Sequence, residues 1–209
     1  MNSYIKQFKK LNCYTDIIDI LSPITNEEKE ISESLSIIKQ LKKIVLKNKF
    51  NYDIWDLCAG NALTSTISAF TLPIHKAYAL DVYTRKRAWN KINNFEYVIK
   101  NIYGITNKEF KKQSIIISVH PCKDLAQQIC NIYNNSYKVR HLILMPCCIG
   151  QYRRKNKNVI NNNYYEWCIY LNEKVDGNIT IDKKCLSPKN VIITASKDKY
   201  KKFNKCIIP

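Results

Sequence analysis

Short apolar runs alternate with segments of helical character along most of this chain, and this alternation is the strongest constraint on its fold. The apolar runs lie at 53–58, 77–82, 95–102, 114–119, 139–145 and 190–195. Segments with helical character lie between most of them, at 62–70, 84–92, 122–133 and 163–173. Strands that alternate with helices predict an α/β fold with a mostly parallel sheet and helices on both faces.

The first 49 residues precede this alternation and have a different pattern. Residues 1–21 predict one helix, and residues 27–49 predict a second helix with a single apolar stripe. The acidic start and basic end of the second segment match the helix dipole. We therefore expect an N-terminal helical extension over 1–49, followed by an α/β domain over 50–209.

The chain carries a large excess of positive charge. Its 209 residues include 34 Lys and Arg against 17 Asp and Glu, which gives a net charge of +17. Such a surface attracts polyanions, and nucleic acid is the first of these to consider. The chain is also rich in Lys, Asn and Ile and has only 4 Gly, so a compositional origin of the charge stays open.

Three features predict a soluble protein in a reducing, intracellular compartment such as the cytoplasm. No apolar run approaches the roughly 18 residues of a membrane-spanning helix. The first twenty residues mix Lys and Asp into apolar positions, so they lack the apolar core of a signal peptide. The nine cysteines show no secreted-type framework, and an odd number cannot pair fully within one chain.

The end of the first predicted strand indicates a nucleotide-type site. The sequence D-L-C-A-G-N-A over 56–62 places small residues between a buried strand and a helix, with one glycine at Gly60. Asp81 ends the second strand, 21 residues after Gly60, which is a spacing typical of an acidic residue that binds a ribose diol. Asn101 follows the third strand and could bind an adenine edge. S-adenosylmethionine has a group for each of these positions, namely an amino-acid end, free ribose hydroxyls and an adenine ring. A pyrophosphate, by contrast, would be crowded in a loop with a single glycine.

Together with H-P-C-K-D-L-A over 120–126 and M-P-C-C over 145–148, these residues resemble class I S-adenosylmethionine-dependent methyltransferases. The two cysteine motifs are similar to a subgroup that includes tRNA ribose methyltransferases and other methyltransferase-like proteins. The resemblance implies a Rossmann-like, seven-stranded sheet in the order 3-2-1-4-5-7-6. It also implies a cofactor site formed by Asp56, Cys58, Ala59, Gly60, Asn61, Ala62, Asp81, Val82, Asn101 and Ile102.

The residues that follow the fourth and fifth strands are the candidates for catalysis. In the fold implied by the resemblance they lie beside the transferable methyl group, which makes His120, Cys122 and Cys147 the candidates. His120 could contact the acceptor or act as a base, or it could simply pack at a strand end. Cys147 could be a thiolate nucleophile or a small buried wall residue. A zinc site is not expected, because adjacent strand residues point to opposite faces and no C-x-x-C occurs.

A basic segment with one aromatic residue follows the fifth strand, and it supplies the candidate substrate contacts. These are Tyr152, Arg153, Arg154 and Lys155, which could stack on a base and bind phosphates. The predicted function is methyl transfer from S-adenosylmethionine to RNA, with no membrane partner and no obligate metal. The alternatives are a methyltransferase for small molecules or proteins and a non-catalytic protein that binds nucleic acid.

Overall fold

A computed structural model describes residues 1–47, 52–150 and 163–197 of the chain. Seven strands form one sheet in the order β3-β2-β1-β4-β5-β7-β6, which confirms the predicted order. The strands are β1 Asp53–Leu57, β2 Lys76–Asp81, β3 Phe95–Ile99, β4 Ser114–Val119, β5 Val139–Met145, β6 Asn178–Ile181 and β7 Val191–Ser196. The first five are parallel, whereas β7 pairs antiparallel with both β5 and β6.

Six α-helices occur in the described ranges, and they cover both faces of the sheet. They are α1 Ser3–Lys9, α2 Tyr14–Leu21, α3 Glu27–Val45, α4 Leu63–Thr71, α5 Asp124–Asn135 and α6 Tyr164–Val175. The first four share one apolar cluster with the sheet, and α5 and α6 share the cluster on the other face. Of the helices described, none is both long enough and apolar enough to cross a bilayer.

The central strands β1, β4 and β5 are buried on both faces, which explains their continuous apolar runs. Along β4, Ile115 and Ile117 pack with α3 and α4, whereas Ile116 packs with the cluster beneath α5 and α6. Helix α3 lies against β4 and β5, and its residues Ile31 and Leu41 are completely buried. The N-terminal helices and the sheet therefore share one core.

The structure corrects two predicted helices. Residues 1–21 form two helices, because α1 ends at Lys9 and α2 begins at Tyr14. The segment 84–92 contains only a short 3₁₀ turn at Trp89–Lys91. Side chains of this segment contact distant parts of the chain. The Trp89 ring stacks on the Tyr97 ring of β3, with 3.9 Å between the ring centroids. The Arg87 guanidinium donates hydrogen bonds to the carbonyl oxygens of Ser22 and Pro23, which precede α3.

Candidate cofactor site and active site

The loop between β1 and α4 has an unusual backbone. Cys58, Gly60 and Ala62 all have positive φ, at 61°, 53° and 57°. This conformation is natural for glycine and strained for Cys and Ala, so two non-glycine residues occupy positions where glycine would be relaxed. A Cβ atom at Gly60 would meet no atom within 4 Å, so the loop faces open space rather than packed side chains. Strain of this kind is concentrated at functional sites.

Asp81 at the end of β2 holds this loop. Its Oδ2 accepts the Gly60 N–H at 2.9 Å, and its Oδ1 accepts the Tyr83 N–H at 3.1 Å. The Ala59 N–H also donates to the Leu80 carbonyl at 3.0 Å, which ties the loop to β2. Each carboxylate oxygen can accept more than one hydrogen bond, so Asp81 retains acceptor capacity for a hydroxyl group.

Asp56 lies beneath the loop and is almost completely buried. Its Oδ2 accepts hydrogen bonds from the Ser65 hydroxyl at 2.8 Å and from the Ser65 N–H at 3.3 Å, in the first turn of α4. Burial raises the pKa of Asp56 to about 7, despite these bonds. Asp56 therefore holds the first turn of α4 and is not among the residues that line the cavity described below.

A cavity of about 330 Å³ lies in front of the loop. Helix α3 forms one wall, and the loop and the end of β4 form the others. The wall carries two carboxylates, Glu30 and Glu33, and two cations, Lys29 and Arg85. Asn61 Nδ2 lies 3.4 Å from Glu30 Oε2 across the cavity, and burial raises the pKa of Glu30.

His120 follows β4 at the edge of this cavity and also has a positive φ, 57°. Its Nε2 lies 2.6 Å from Oε1 of the buried Glu33. Burial alone would raise the pKa of Glu33, but the hydrogen bond and charge of His120 lower it below the ordinary value. The two residues are 87 positions apart, and α3 brings them together. Glu30 and Glu33 were not among the sequence-predicted site residues.

The remaining predicted cofactor residues lie at the ends of β2 and β3, and they do not line the cavity. Val82 is half exposed, and Ile102 is buried in the core beneath α5. The Asn101 side chain accepts the Tyr103 N–H at 3.0 Å and caps a short 3₁₀ turn. Their roles in cofactor binding therefore remain predictions.

The cysteines after β4 and β5 lie together. Cys147 Sγ is 3.6 Å from Cys122 Sγ and 3.5 Å from Cys148 Sγ. The expectation that Cys147 and Cys148 point apart is wrong, because β5 ends at Met145 and neither residue lies in the strand. Burial and the neighbouring thiols raise the pKa of Cys147 well above its usual range, which disfavours the thiolate form that a nucleophile requires. The predicted substrate contacts Tyr152, Arg153, Arg154 and Lys155 lie outside the described residues.

A family model described as a methyltransferase domain matches residues 26–155. The chain belongs to this methyltransferase family. The match begins just before α3 and extends past β5, so it contains the whole cavity described above. The enzyme is a class I methyltransferase, and its methyl donor is S-adenosylmethionine.

Solved structures support the fold. One is the magnesium protoporphyrin IX methyltransferase of Synechocystis PCC 6803, which was solved with bound S-adenosylmethionine. It is 11% identical to this chain in sequence and has a TM-score of 0.51, and the alignment covers 92% of this chain and 90% of that chain. A Thermoplasma acidophilum protein is 12% identical, with 92% and 94% covered and a TM-score of 0.51. No sequence of a curated protein matches the chain. The similarity in structure therefore establishes the class I architecture.

Proposed function

We propose that this methyltransferase transfers the methyl group of S-adenosylmethionine to RNA. The observation that carries the proposal is the net charge of +17 together with the cations that line the cavity. Lys29 and Arg85 line the cavity, and the exposed Lys123 follows His120 by three residues. In the sequence, Arg153, Arg154 and Lys155 follow Gly150 closely, and we propose them and Tyr152 as further RNA contacts.

The charges on the cavity wall support the proposal that the amino-acid end of the cofactor binds there. That end carries an ammonium, a carboxylate and the sulfonium whose methyl group is transferred. Glu30 offers a carboxylate to the positive groups, and Lys29 offers a cation to the carboxylate. The open space at Gly60 allows a ligand to approach the backbone of the loop. Asp81, directly behind that backbone, is the proposed partner of the ribose hydroxyls.

The proposed catalytic contact is His120, with Glu33 as its positioning residue. Glu33 fixes the orientation of the ring through its contact with Nε2 at 2.6 Å. Alignment of the acceptor with the methyl–sulfur bond supplies most of the rate in a transfer of this kind. A general base is needed only if the atom that receives the methyl group is a hydroxyl oxygen or a protonated nitrogen.

The experiment measures methyl transfer and RNA binding on the same protein. Tritium from methyl-labelled S-adenosylmethionine is expected in the RNA fraction of a total cell extract. RNA affinity is expected to fall linearly with salt on a log–log plot, with a slope of about −0.7 per phosphate contact for single strands. Arg85→Gln and Lys123→Gln should each make that slope shallower by roughly one contact.

A matched control is Lys111→Gln. Lys111 is exposed and precedes β4, so it lies near the amino ends of the parallel strands, whereas the cavity lies at their carboxyl ends. This variant should retain the salt dependence of the wild-type protein. Label in small molecules or proteins instead of RNA, or RNA binding that the cavity variants leave unchanged, would overturn the assignment of RNA as the acceptor.

A further inference from the structure

Three cysteine thiols from two separate segments meet beside the ends of β4 and β5. Cys122 comes from the segment after β4, and Cys147 and Cys148 come from the segment after β5. The three Sγ atoms all lie within 4.8 Å of one another. In the described ranges, this is the one group of three or more His, Cys, Asp and Glu residues with such spacing.

The spacing of the sulfur atoms matches a metal site better than a disulfide. The separations of 3.6 Å between Cys122 and Cys147 and 3.5 Å between Cys147 and Cys148 are far longer than a sulfur–sulfur bond of about 2.05 Å. Zinc–sulfur bonds of about 2.3 Å in a tetrahedral arrangement place neighbouring sulfurs ~3.8 Å apart. These two separations are thus within a few tenths of an ångström of the value that zinc imposes, and the third, between Cys122 and Cys148, is no longer than 4.8 Å.

We propose that Cys122, Cys147 and Cys148 bind a thiophilic metal cation, with Zn²⁺ as the expected ion. Three sulfur ligands select zinc or monovalent copper over magnesium and calcium, which require oxygen ligands. Cys122 and Cys148 are exposed, so an ion can enter from solvent without a rearrangement of the core. This inference does not depend on RNA as the acceptor.

Among the described residues, these three cysteines are joined by no fourth His, Cys, Asp or Glu ligand. His120 is the nearest histidine in the sequence, but its Nε2 is bound to Glu33 at 2.6 Å and its Nδ1 is buried. His120 is not one of the three clustered ligands, and it meets the cluster through its carbonyl oxygen, which lies 3.3 Å from Cys147 Sγ. A three-ligand site with an open position suits an ion that binds a further small ligand or water.

The test titrates the full-length, fully reduced protein with Co²⁺ and then displaces it with Zn²⁺. One ion per chain is expected, with the near-ultraviolet thiolate-to-cobalt charge-transfer band and the visible bands of tetrahedral cobalt. Each of Cys122→Ser, Cys147→Ser and Cys148→Ser should remove about a third of the charge-transfer intensity and weaken zinc binding at least about tenfold.

The matched control is Cys13→Ser. Cys13 is another partly exposed thiol, located at the start of α2 and outside the cluster, so its replacement should leave the metal titration unchanged. Thermal unfolding of the Cys148→Ser variant, in which the altered side chain is exposed, checks that the fold persists. The proposal is overturned if the reduced wild-type protein binds no stoichiometric ion, or if the cobalt complex lacks the thiolate band. Zinc binding of wild-type strength in Cys122→Ser and Cys148→Ser would also overturn it.

Discussion

The buried carboxyl group of Asp56 gives the sharpest prediction about stability. It lies at the centre of the sheet, and its hydrogen bonds come from one residue, Ser65. Replacement by Asn keeps the shape and an acceptor oxygen for Ser65, but removes the possibility of a buried negative charge. The variant Asp56→Asn therefore isolates the free-energy cost of ionising this group inside the protein.

The magnitude and its sign follow from the raised pKa. The difference between about 7 and the ordinary 3.8 corresponds to roughly 4 kcal/mol, at about 1.36 kcal/mol per pKa unit. Because the folded state holds this proton more tightly than the unfolded state, the group lowers stability as pH rises between these two values. Above about pH 7 the full cost is present. The Asn variant carries no such cost, so its stability relative to the wild type should increase across the same window.

The assay is urea unfolding of both proteins at a series of pH values from about 4.5 to 8. The difference in unfolding free energy should grow by about 2–4 kcal/mol in favour of Asp56→Asn. Asp19→Asn, an exposed carboxyl replacement on α2, is the control and should show no comparable growth. A difference between Asp56→Asn and wild type that does not change with pH would refute the claim that burial controls this carboxyl group.

Three further predictions concern the site and its support. Asp81→Asn should weaken S-adenosylmethionine binding by roughly 10- to 100-fold, because a charged acceptor contributes about 1.5–3 kcal/mol; calorimetry that finds unchanged affinity would exclude the ribose contact. His120→Ala and Glu33→Gln should lower the single-turnover rate by about 10²–10⁴ while they change donor affinity much less; equal loss of both would indicate a purely structural pair. Gly150→Ala should lower the free energy of unfolding in urea by about 1–3 kcal/mol, because the added Cβ would lie 2.7 Å from the Trp167 ring. Gly104→Ala is the control and should be tolerated, because its added Cβ would lie 3.5 Å from its closest neighbour, the Lys100 side chain.

The sequence predicted most of the sheet, because its central strands are buried on both faces and give continuous apolar runs. It did not identify β6 from such a run. Residues Asn178–Ile181 form a short strand at the edge of the sheet with all four side chains exposed, so burial leaves no pattern there. The helix predicted over 84–92 failed for a different reason, since contacts of Trp89 and Arg87 with distant residues override the local preference.

The sequence located the loop and Asp81, because their spacing along the chain reflects a local strand–turn–helix unit. Glu33 could not be found in this way. It follows directly after the acidic first turn of α3, which the helix dipole explains, so nothing in the sequence sets it apart, and its partner His120 is 87 residues away. The cysteine cluster was missed because the alternating geometry of strand residues was applied to Cys147 and Cys148, whereas both residues follow the end of β5 at Met145.

The account depends on a cofactor pocket at the loop after β1, beside Asp81. Titration of the purified wild-type chain with S-adenosylhomocysteine, the product of the donor, tests this most directly by calorimetry. We predict saturable heat with one site per chain, together with a thermal stabilisation that grows with ligand concentration. The absence of both heat and stabilisation at saturating ligand concentration would contradict the account.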